Sequence, residues 1–256
     1  MLEQLRHDDI LELRLSRPPV NAFNLDLSRA LREAIVAAPD SGARGIVLSG
    51  RPGMFSAGLD VAAVLELDAA GRMGELWREY STLCRAIAAS SVPIVVAIAG
   101  HAPAGGAVLA TFCDYRVMAR GVDPDKPFRI GLNETQVGLS VPPEIQTGLR
   151  RLVGAYRAER LMVAGTMLES EDALRIGFVD ELAEPDEVAP RAFAWLRALL
   201  ALPPQAMAKT RAIARADLVS AFDAAYRSDV DDFVRDWFGD ESRTTLKAVL
   251  AKLKSK

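Results

Sequence analysis

Two glycine-bearing loops have the residue types needed to stabilise a negative charge with backbone N–H groups. The first covers residues 55–60, with the sequence FSAGLD, and the second covers residues 101–107, with the sequence HAPAGGA. Small residues let backbone N–H groups approach a ligand closely. Two such groups aimed at one oxygen would stabilise an enolate or a tetrahedral oxyanion. Each loop, taken alone, also fits a tight connection between a strand and a helix.

A carboxylate in a third loop could serve as a base. Glu134 lies in the segment GLNETQVG of residues 131–138, between the apolar residues Leu132 and Val137. Partial loss of water around a carboxyl group favours its neutral form and raises its pKa, which improves it as a general base near neutral pH. On pattern alone, Glu134 equally fits a loop residue that caps a helix or pairs with Arg129.

The remaining candidates for chemistry are weaker. His7 lies in a polar N-terminal run and is expected to be solvated, and His101 has no companion nucleophile, so we interpret it as structural. Ser56 and Ser140 do not lie in a GxSxG turn, which disfavours a serine hydrolase. Neither GxGxxG nor a Gly-Lys-Ser/Thr ending follows a strand, which disfavours nucleotide binding. Spacings typical of metal ligands are absent, and we expect no metal.

The elements that must position these loops alternate between strands and helices. Residues 10–15 alternate apolar and charged residues, which predicts a half-buried strand. Apolar residues spaced by three and four predict a helix over residues 26–38, capped by Asn24 or Asp26. The pattern continues with predicted strands and helices at residues 45–50 (strand), 75–89 (helix), 94–99 (strand), 107–113 (helix) and 115–119 (strand).

This alternation predicts an α/β fold with parallel strands. Both glycine-bearing loops follow strands, so they should meet at one edge of a sheet. Beyond residue 148 the strand pattern fades, and the remaining pattern predicts helices over residues 149–153, 158–165, 169–176, 186–202, 204–215 and 220–237. We expect one core over residues 1–200 and a helical region over residues 201–256.

Composition restricts the classes of partner and compartment. Acidic residues outnumber basic ones by 34 to 31, so no global positive charge favours nucleic acid or an anionic membrane. Cys84 and Cys113 lack the spacing of a zinc site and are expected to be buried thiols. No apolar run reaches the roughly 20 residues of a membrane-spanning helix. The N-terminus lacks a secretory pattern and the last three residues are not Ser-Lys-Leu, so we expect a cytoplasmic protein.

Taken in order, the three loops resemble those of the crotonase superfamily, the enoyl-CoA hydratase/isomerase family. The resemblance extends from the segment RPPVNA at residues 17–22 to the segment GFVD at residues 177–180. It implies a crotonase-like spiral of ββα units followed by a C-terminal helical region that forms a homotrimer or dimer of trimers and covers the pocket. It also implies an acyl-CoA substrate, with CoA as part of the substrate and no separate cofactor.

The resemblance further implies the roles of individual residues. In this family the thioester oxygen accepts two backbone N–H bonds, and the motif match assigns these donors to Ala57 and Gly105. The segment Ala57, Gly58, Leu59, Asp60 and Val61 would line the CoA and thioester pocket together with Gly105.

The family resemblance also bears on the reaction type. Hydratases of the family use two glutamates, and the first of these corresponds to Val108 here, which cannot transfer a proton. The second corresponds to Glu134. One carboxylate suffices to move a proton from C2 to C4 of a 3-enoyl thioester, and the segment around Glu134 is similar to that of the Δ3,Δ2-enoyl-CoA isomerases. We therefore expect an isomerase.

Several alternatives stay open at this point. Glu144 could supply a second pocket acid, as in family members with other chemistries, although its position after two prolines also fits the first turn of a helix. One alternative hypothesis is a hydratase, a thioesterase or another crotonase-type enzyme, and another is a non-catalytic relative that binds a CoA thioester or RNA. Arg17, Arg51 and Lys209 are candidate contacts for the CoA phosphates. The acyl pocket would be shaped by residues 65–79 and by the C-terminal helices.

Overall fold

A computed structural model describes residues 1–61, 63, 70–123, 125–223 and 230–254 of the chain. Its strands, numbered along the chain, are β1 (Leu2–His7), β2 (Ile10–Leu15), β3 (Gly45–Ser49), β4 (Gly53–Met54), β5 (Ile94–Ile98), β6 (Gly100–Pro103), β7 (Tyr115–Ala119), β8 (Arg129–Gly131), β9 (Leu168–Glu169) and β10 (Glu181–Ala183).

The described helices are α1 (Leu25–Ala37), α2 (Ala70–Ala89), α3 (Gly105–Phe112), a 3₁₀ turn (Glu134–Val137), α4 (Pro143–Val153), α5 (Ala155–Ala164), α6 (Ser170–Arg175), α7 (Val188–Leu200), α8 (Pro204–Ala214), α9 (Ala216–Ser220), α10 (Val230–Phe238) and α11 (Asp240–Lys254).

The strands form two sheets. Six strands pair in the order β1-β2-β3-β5-β7-β10, and four pair in the order β4-β6-β8-β9. All neighbours are parallel except β1 with β2 and β8 with β9. In the central turns β3-β4-α2 and β5-β6-α3, the chain adds one strand to the large sheet, one to the small sheet and then a helix. The predicted α/β class is therefore confirmed.

The small sheet brings the two glycine-bearing loops together. Strand β4 pairs with β6 in parallel, with Met54 beside His101. Both loops leave these strands in the same direction, because the carboxyl ends of parallel strands lie at the same edge. The expectation that the loops share an edge is thus confirmed.

The predicted large-sheet strands agree closely with the observed ones, whereas the short strands were missed. The pattern did not reveal β1 or the strands of the small sheet, and β9 and β10 lie beyond residue 148, where no strand was expected. Strands β4, β6, β8, β9 and β10 have two to four residues, too few to establish a period of two, and the six residues of β1 do not alternate regularly between buried and exposed. Helix α3 begins at Gly105, two residues before the predicted start, and Asn24 caps α1 through its side chain, which accepts a bond from the Leu27 N–H.

The N-terminal histidine is more enclosed than expected. His7 ends strand β1, and its Nε2 lies 3.0 Å from a carboxylate oxygen of the buried Glu12. Its ring also packs on Phe193, with the ring centroids 4.7 Å apart. The expectation that His7 is solvated holds only in part, because the pairing of β1 with β2 places the ring against Phe193 while the side chain stays 38 % exposed.

Both cysteines are buried, as predicted. Cys84 and Cys113 are free thiols, and burial raises the pKa of Cys113 to about 12. Such a thiol stays protonated at physiological pH and is a poor nucleophile. Among the described helices, none is long and apolar enough to cross a membrane.

A buried ion cluster attaches the C-terminal helices to the core. Asp114, just before β7, accepts bonds from Arg211 of α8 at 2.7 and 2.8 Å and from Arg215 at 3.3 Å. Arg215 also donates to the Phe112 carbonyl at 2.5 Å. These three charged side chains are at most 11 % exposed. The cluster fixes the end of α3 relative to α8.

Replacing Asp114 should weaken the fold strongly. Asp114→Ala leaves two buried arginines without their carboxylate, and breaking a buried pair in this way costs about 3–5 kcal/mol. The matched control is Asp217→Ala, which removes the exposed partner of Arg151 and should cost about 1 kcal/mol or less. Urea unfolding of both variants measures the difference. Equal losses would contradict the proposed role of the cluster.

Candidate active site

The three loops surround one cavity of about 430 Å³. The residues lining it are Val20, Ala22, Met54, Ala57, Leu59, Asp60, Val61, Trp77, Tyr80, Pro103, Ala104, Gly105, Val108, Asn133, Glu134, Val137, Leu139, Pro142, Ile145, Phe233, Trp237 and Leu246. Most of these side chains are apolar. The cavity therefore suits a mostly hydrocarbon ligand with a small number of polar contacts.

Glu134 begins the 3₁₀ turn on the wall of this cavity. Its Oε2 atom is buried and has no hydrogen-bond partner in the described part of the chain. Burial raises the pKa of Glu134 from 4.5 to about 7, although the residue's own backbone N–H partly opposes this shift. Loss of water favours the neutral carboxyl, so a proton can be taken up and released near neutral pH.

The 3₁₀ turn is anchored to two helices that come later in the chain. Thr135 Oγ1 donates to the Met162 carbonyl at 3.1 Å, and Gln136 Nε2 donates to the Gly165 carbonyl at 2.8 Å. On the other side, Ser242 Oγ of α11 donates to the Gly138 carbonyl at 2.6 Å. The position of Glu134 therefore depends on α5 and on the C-terminal helix.

The two glycine-bearing loops touch at Gly58 and Gly105. A Cβ added to Gly58 would lie 2.8 Å from the Gly105 nitrogen, closer than real Cβ contacts, and Gly58 has a φ of +85°. A Cβ added to Gly105 would lie 2.9 Å from Gly58 Cα. Glycine is thus required at both positions for the loops to approach this closely.

The N–H of Gly105 has no acceptor within the described ranges of the chain. Gly105 is the first residue of α3, and the first N–H groups of a helix have no partner inside it. Its neighbour Ala104 has φ 45° and ψ −120°, a conformation that is rare for a residue with a side chain and costs about 1–3 kcal/mol. The donor therefore lies beside a strained residue.

The assignment of the second donor to Ala57 needs correction. The Ala57 N–H already donates to the Val20 carbonyl at 2.9 Å, so it is not available to a ligand in this structure. Leu59 forms a parallel bridge with Phe23 in which Phe23 makes the bonds, donating to the Gly58 carbonyl and accepting from the Asp60 N–H. The Leu59 N–H consequently points away from Phe23 and has no acceptor among the described residues.

Tyr80 of α2 contacts the second loop from inside the cavity. Its hydroxyl donates to the Gly105 carbonyl at 2.5 Å. The side chain is 1 % exposed, and burial raises the pKa of Tyr80 well above its usual value. The phenol is therefore protonated and acts as a hydrogen-bond donor.

Asp60 is the other carboxylate on the cavity wall, and it is engaged elsewhere. Its Oδ2 atom lies 2.6 Å from Arg17 Nη2, and its Oδ1 atom accepts the Ala63 N–H at 3.0 Å. Arg17, one of the candidate phosphate contacts, thus pairs with Asp60. Arg51 and Lys209 are exposed, and neither lines the cavity.

The two positions considered for a further acid differ in their surroundings. Val108 lines the cavity and is 1 % exposed. Glu144 lies in the first turn of α4, as the helix-start interpretation predicts, and is 2 % exposed. Its carboxylate is near Cys84, whose thiol pKa it helps to raise. Glu144 is not among the residues that line the cavity.

His101 has a structural role in this geometry. Its Nδ1 accepts the Arg129 N–H at 3.1 Å, and burial together with the Arg129 charge lowers its pKa. His101 does not line the cavity. Within the described residues, no group of three or more His, Cys, Asp or Glu side chains could hold a metal ion.

Aromatic side chains form one part of the cavity wall. Trp77 of α2 stacks on Phe233 of α10, with ring centroids 3.8 Å apart, and Trp237 lies next to Phe233 at 6.1 Å. Residues of the C-terminal helices therefore form part of the wall. Of the segment 65–79 expected to shape the acyl pocket, residues 65–69 lie outside the described residues, and Trp77 lines the cavity.

Comparison with known proteins agrees with this geometry. The family model described as enoyl-CoA hydratase/isomerase matches residues 6–256. The chain belongs to the enoyl-CoA hydratase/isomerase family. The crystal structure of human mitochondrial delta3-delta2-enoyl-CoA isomerase superposes with a TM-score of 0.91 at 29 % identity, covering 99 % of this chain and 98 % of that one. The expected crotonase-like fold is confirmed for this family member.

Two relatives show the range of activities within the enoyl-CoA hydratase/isomerase family. Human mitochondrial enoyl-CoA delta isomerase 1 is 32 % identical over 248 residues, which cover 94 % of this chain and 79 % of the relative. A probable enoyl-CoA hydratase, EchA17, from Mycobacterium tuberculosis is 34 % identical over 211 residues, which cover 78 % and 74 %. The similarity thus includes both isomerases and hydratases.

For this member of the family, the structure groups most of the predicted site residues around the cavity. Gly105, Glu134 and residues 57, 59, 60 and 61 line it, while Gly58 lies behind them against Gly105. The sequence did not identify Tyr80 or the aromatic residues of α10. Their apolar helical spacing is typical of core positions, and no feature of the pattern distinguishes a core residue from a cavity wall.

Proposed function

We propose that this protein is an enoyl-CoA isomerase that moves a double bond from C3 to C2 of an acyl-CoA thioester. The observation that supports this proposal most is which carboxylates on the cavity wall, among the described residues, are free to act as a base. Asp60 is paired with Arg17, Glu144 does not line the cavity, and Val108 carries no acid. Among the described residues of the cavity wall, Glu134 is therefore the one carboxylate without an ion-pair partner. A double-bond shift needs one carboxylate.

The proposed reaction is a proton shuttle between two carbons. Glu134 removes a proton from C2 of the 3-enoyl thioester, and the electrons form a dienolate with its negative charge on the thioester oxygen. The C3–C4 double bond becomes a C2–C3 double bond when the protonated Glu134 returns its proton to C4. No water is added and the acyl-CoA keeps its composition.

Two backbone donors would stabilise the dienolate oxygen. Gly105 and Leu59 line the cavity, and their N–H groups have no acceptor within the described chain. Removing one such donor typically costs about 10²–10³-fold in kcat. We therefore assign the second donor to Leu59 in place of Ala57, and Ala57 keeps only a predicted role in lining the thioester pocket.

A comparison of two substrates tests the proposal. The purified protein should convert a 3-enoyl-CoA to the conjugated 2-enoyl-CoA, seen as a rise in the absorbance of the conjugated thioester. With a 2-enoyl-CoA as substrate, loss of that absorbance through hydration should be slow or undetectable, because Val108 cannot activate water. Fast hydration with no isomerisation would assign the protein to the hydratases, and binding without turnover would indicate a non-catalytic relative.

The proposed base sets the pH dependence. Glu134 accepts a proton only when it is ionised, so kcat/KM should fall as pH decreases through about 7, with a limit of about tenfold per pH unit. A pH profile between 5 and 9 measures this. The control is His101→Asn, which removes a titratable imidazole from the second loop and should leave the profile in place. A profile that is flat down to pH 5 would contradict Glu134 as the base.

The remaining expectations from the sequence stay predictions. These are the homotrimer or dimer of trimers, the cytoplasmic location, the division near residue 200 and the pocket-covering role of the C-terminal region. The acyl-CoA ligand and the absence of a separate cofactor are part of the proposed function.

A further inference from the structure

The peptide that carries one proposed donor is held in an unfavourable conformation. The N–H of Gly105 belongs to the peptide between Ala104 and Gly105, and Ala104 has φ 45° and ψ −120°. A residue with a side chain rarely adopts this conformation. Rotation of the peptide would relieve the strain at Ala104 and would turn the Gly105 N–H away from the cavity. The carbonyl of this peptide, that of Ala104, accepts the Val108 N–H at 2.9 Å, and contacts of the neighbouring groups add to this restraint.

Hydrogen bonds hold the backbone on both sides of the Ala104–Gly105 peptide. Before it, the Ala104 N–H donates to the Gly131 carbonyl at 2.8 Å. After it, the carbonyl of Gly105 accepts the Tyr80 hydroxyl at 2.5 Å. The same hydroxyl would lie 2.8 Å from a Cβ at position 105, so it also fills the space beside Gly105 Cα.

Tyr80 is itself held firmly. Its ring packs edge-on against Phe23, with centroids 5.6 Å apart, and lies 6.2 Å from Trp77. The hydroxyl lies at the end of a rigid side chain with two rotatable bonds, and this side chain is 1 % exposed. A hydrogen bond in such surroundings fixes geometry more firmly than one at an exposed site.

We propose that Tyr80 is a positioning residue for the oxyanion site, because its bond to the Gly105 carbonyl, together with the Val108 bond to the Ala104 carbonyl, keeps the strained Ala104–Gly105 peptide from turning its N–H away from the thioester oxygen. This inference rests on the proposed function. Tyr80 donates to a carbonyl and takes no part in proton transfer. Its removal should affect the binding of a negative oxygen and spare the binding of a neutral thioester.

The first experiment is the Tyr80→Phe variant, which keeps the ring packing and removes the hydroxyl. We expect kcat to fall roughly 10–100-fold, as for other small misplacements of catalytic groups, with KM changed by about twofold or less. Tyr115→Phe is the matched control, since Tyr115 stacks on Trp195 and does not line the cavity. It should leave both constants unchanged.

A binding measurement separates positioning from packing. Acetoacetyl-CoA has an acidic C2 proton and can bind as its enolate, which is detected by the enolate absorbance, whereas butanoyl-CoA stays neutral. Tyr80→Phe should weaken enolate binding by a factor similar to the loss in kcat and should leave butanoyl-CoA binding unchanged. Equal losses for both ligands, or no loss for either, would overturn the proposal.

A second variant tests the strain directly. Glycine at position 104 adopts the observed conformation without strain. The peptide would then need the Tyr80 hydrogen bond less to keep its orientation. The penalty of Tyr80→Phe on enolate binding should therefore be smaller in the Ala104→Gly background. The same penalty in both backgrounds would contradict the proposal. If the wild-type protein does not isomerise 3-enoyl-CoA, the proposed function fails, while the binding results still decide the role of Tyr80.

Discussion

Glu134→Gln is expected to lower kcat for the conversion of 3-enoyl-CoA to 2-enoyl-CoA by about 10²–10⁴-fold, because it removes the general base. The amide has nearly the shape of the protonated carboxyl, and the 3₁₀ turn is held by Thr135, Gln136 and Gly138 rather than by Glu134. Substrate binding should consequently be little changed. Initial rates at saturating substrate measure the loss.

The folded state of the same variant should be more stable than wild type at high pH. The pKa of Glu134 is raised from 4.5 to about 7, so the folded protein is stabilised while this carboxyl is protonated and loses that contribution as pH rises through 7. Glutamine resembles the protonated form. At pH 9 the variant should gain about 3 kcal/mol in unfolding free energy, and at pH 4 almost nothing.

This stability difference separates loss of chemistry from loss of structure. A Glu134→Gln protein that is inactive but more stable at pH 9 behaves as expected for a removed base. Glu144→Gln serves as the matched control, since that carboxylate does not line the cavity, and it should retain activity. Full activity of Glu134→Gln, or an equally large loss in Glu144→Gln, would contradict the one-carboxylate assignment.

Replacing the Leu59 N–H with an ester oxygen is expected to lower kcat by about 10²–10³-fold. Incorporation of the α-hydroxy acid analogue of leucine at position 59 keeps the side chain and deletes one backbone donor. The negative charge of the dienolate oxygen would then be stabilised by Gly105 alone. KM should change less than kcat, because the neutral thioester oxygen gains less from the bond.

The same replacement at position 57 is the control. The Ala57 N–H is bonded to the Val20 carbonyl, so its removal should cost about 1 kcal/mol of stability and leave kcat nearly unchanged. The original assignment of the donor to Ala57 would be restored if the position 57 ester lost activity and the position 59 ester did not.

The sequence predicted four of the six strands of the large sheet, because these four are long and buried. Strands β2, β3, β5 and β7 have five or six residues each, bounded by turn residues, and their alternation with helices indicated parallel pairing. The small sheet was missed, since β4 and β9 contain two residues and β8 contains three. Yet this sheet determines which loops meet, and its existence could be inferred only from the family resemblance.

The candidate site was predictable to the level of loops but not of individual donors. FSAGLD and HAPAGGA identified two backbone-donor loops, and the segment around Glu134 identified the carboxylate. The choice between Ala57 and Leu59 depends on a bridge to Phe23, a contact with a distant part of the chain. Tyr80 lies on the apolar face of a helix, where its pattern is that of an ordinary core residue.

The most direct test of the one-carboxylate shuttle follows the transferred hydrogen with a deuterium label. A 3-enoyl-CoA that carries two deuterium atoms at C2 should be converted in a single turnover in ordinary water, and the product should be analysed by NMR. A single glutamate that carries the proton, with its Oε2 shielded from solvent, predicts a 2-enoyl-CoA with one deuterium at C2 and deuterium at C4. A product in which the hydrogen newly added at C4 comes entirely from water would contradict the one-carboxylate shuttle. A 3-hydroxyacyl-CoA product would contradict it as well.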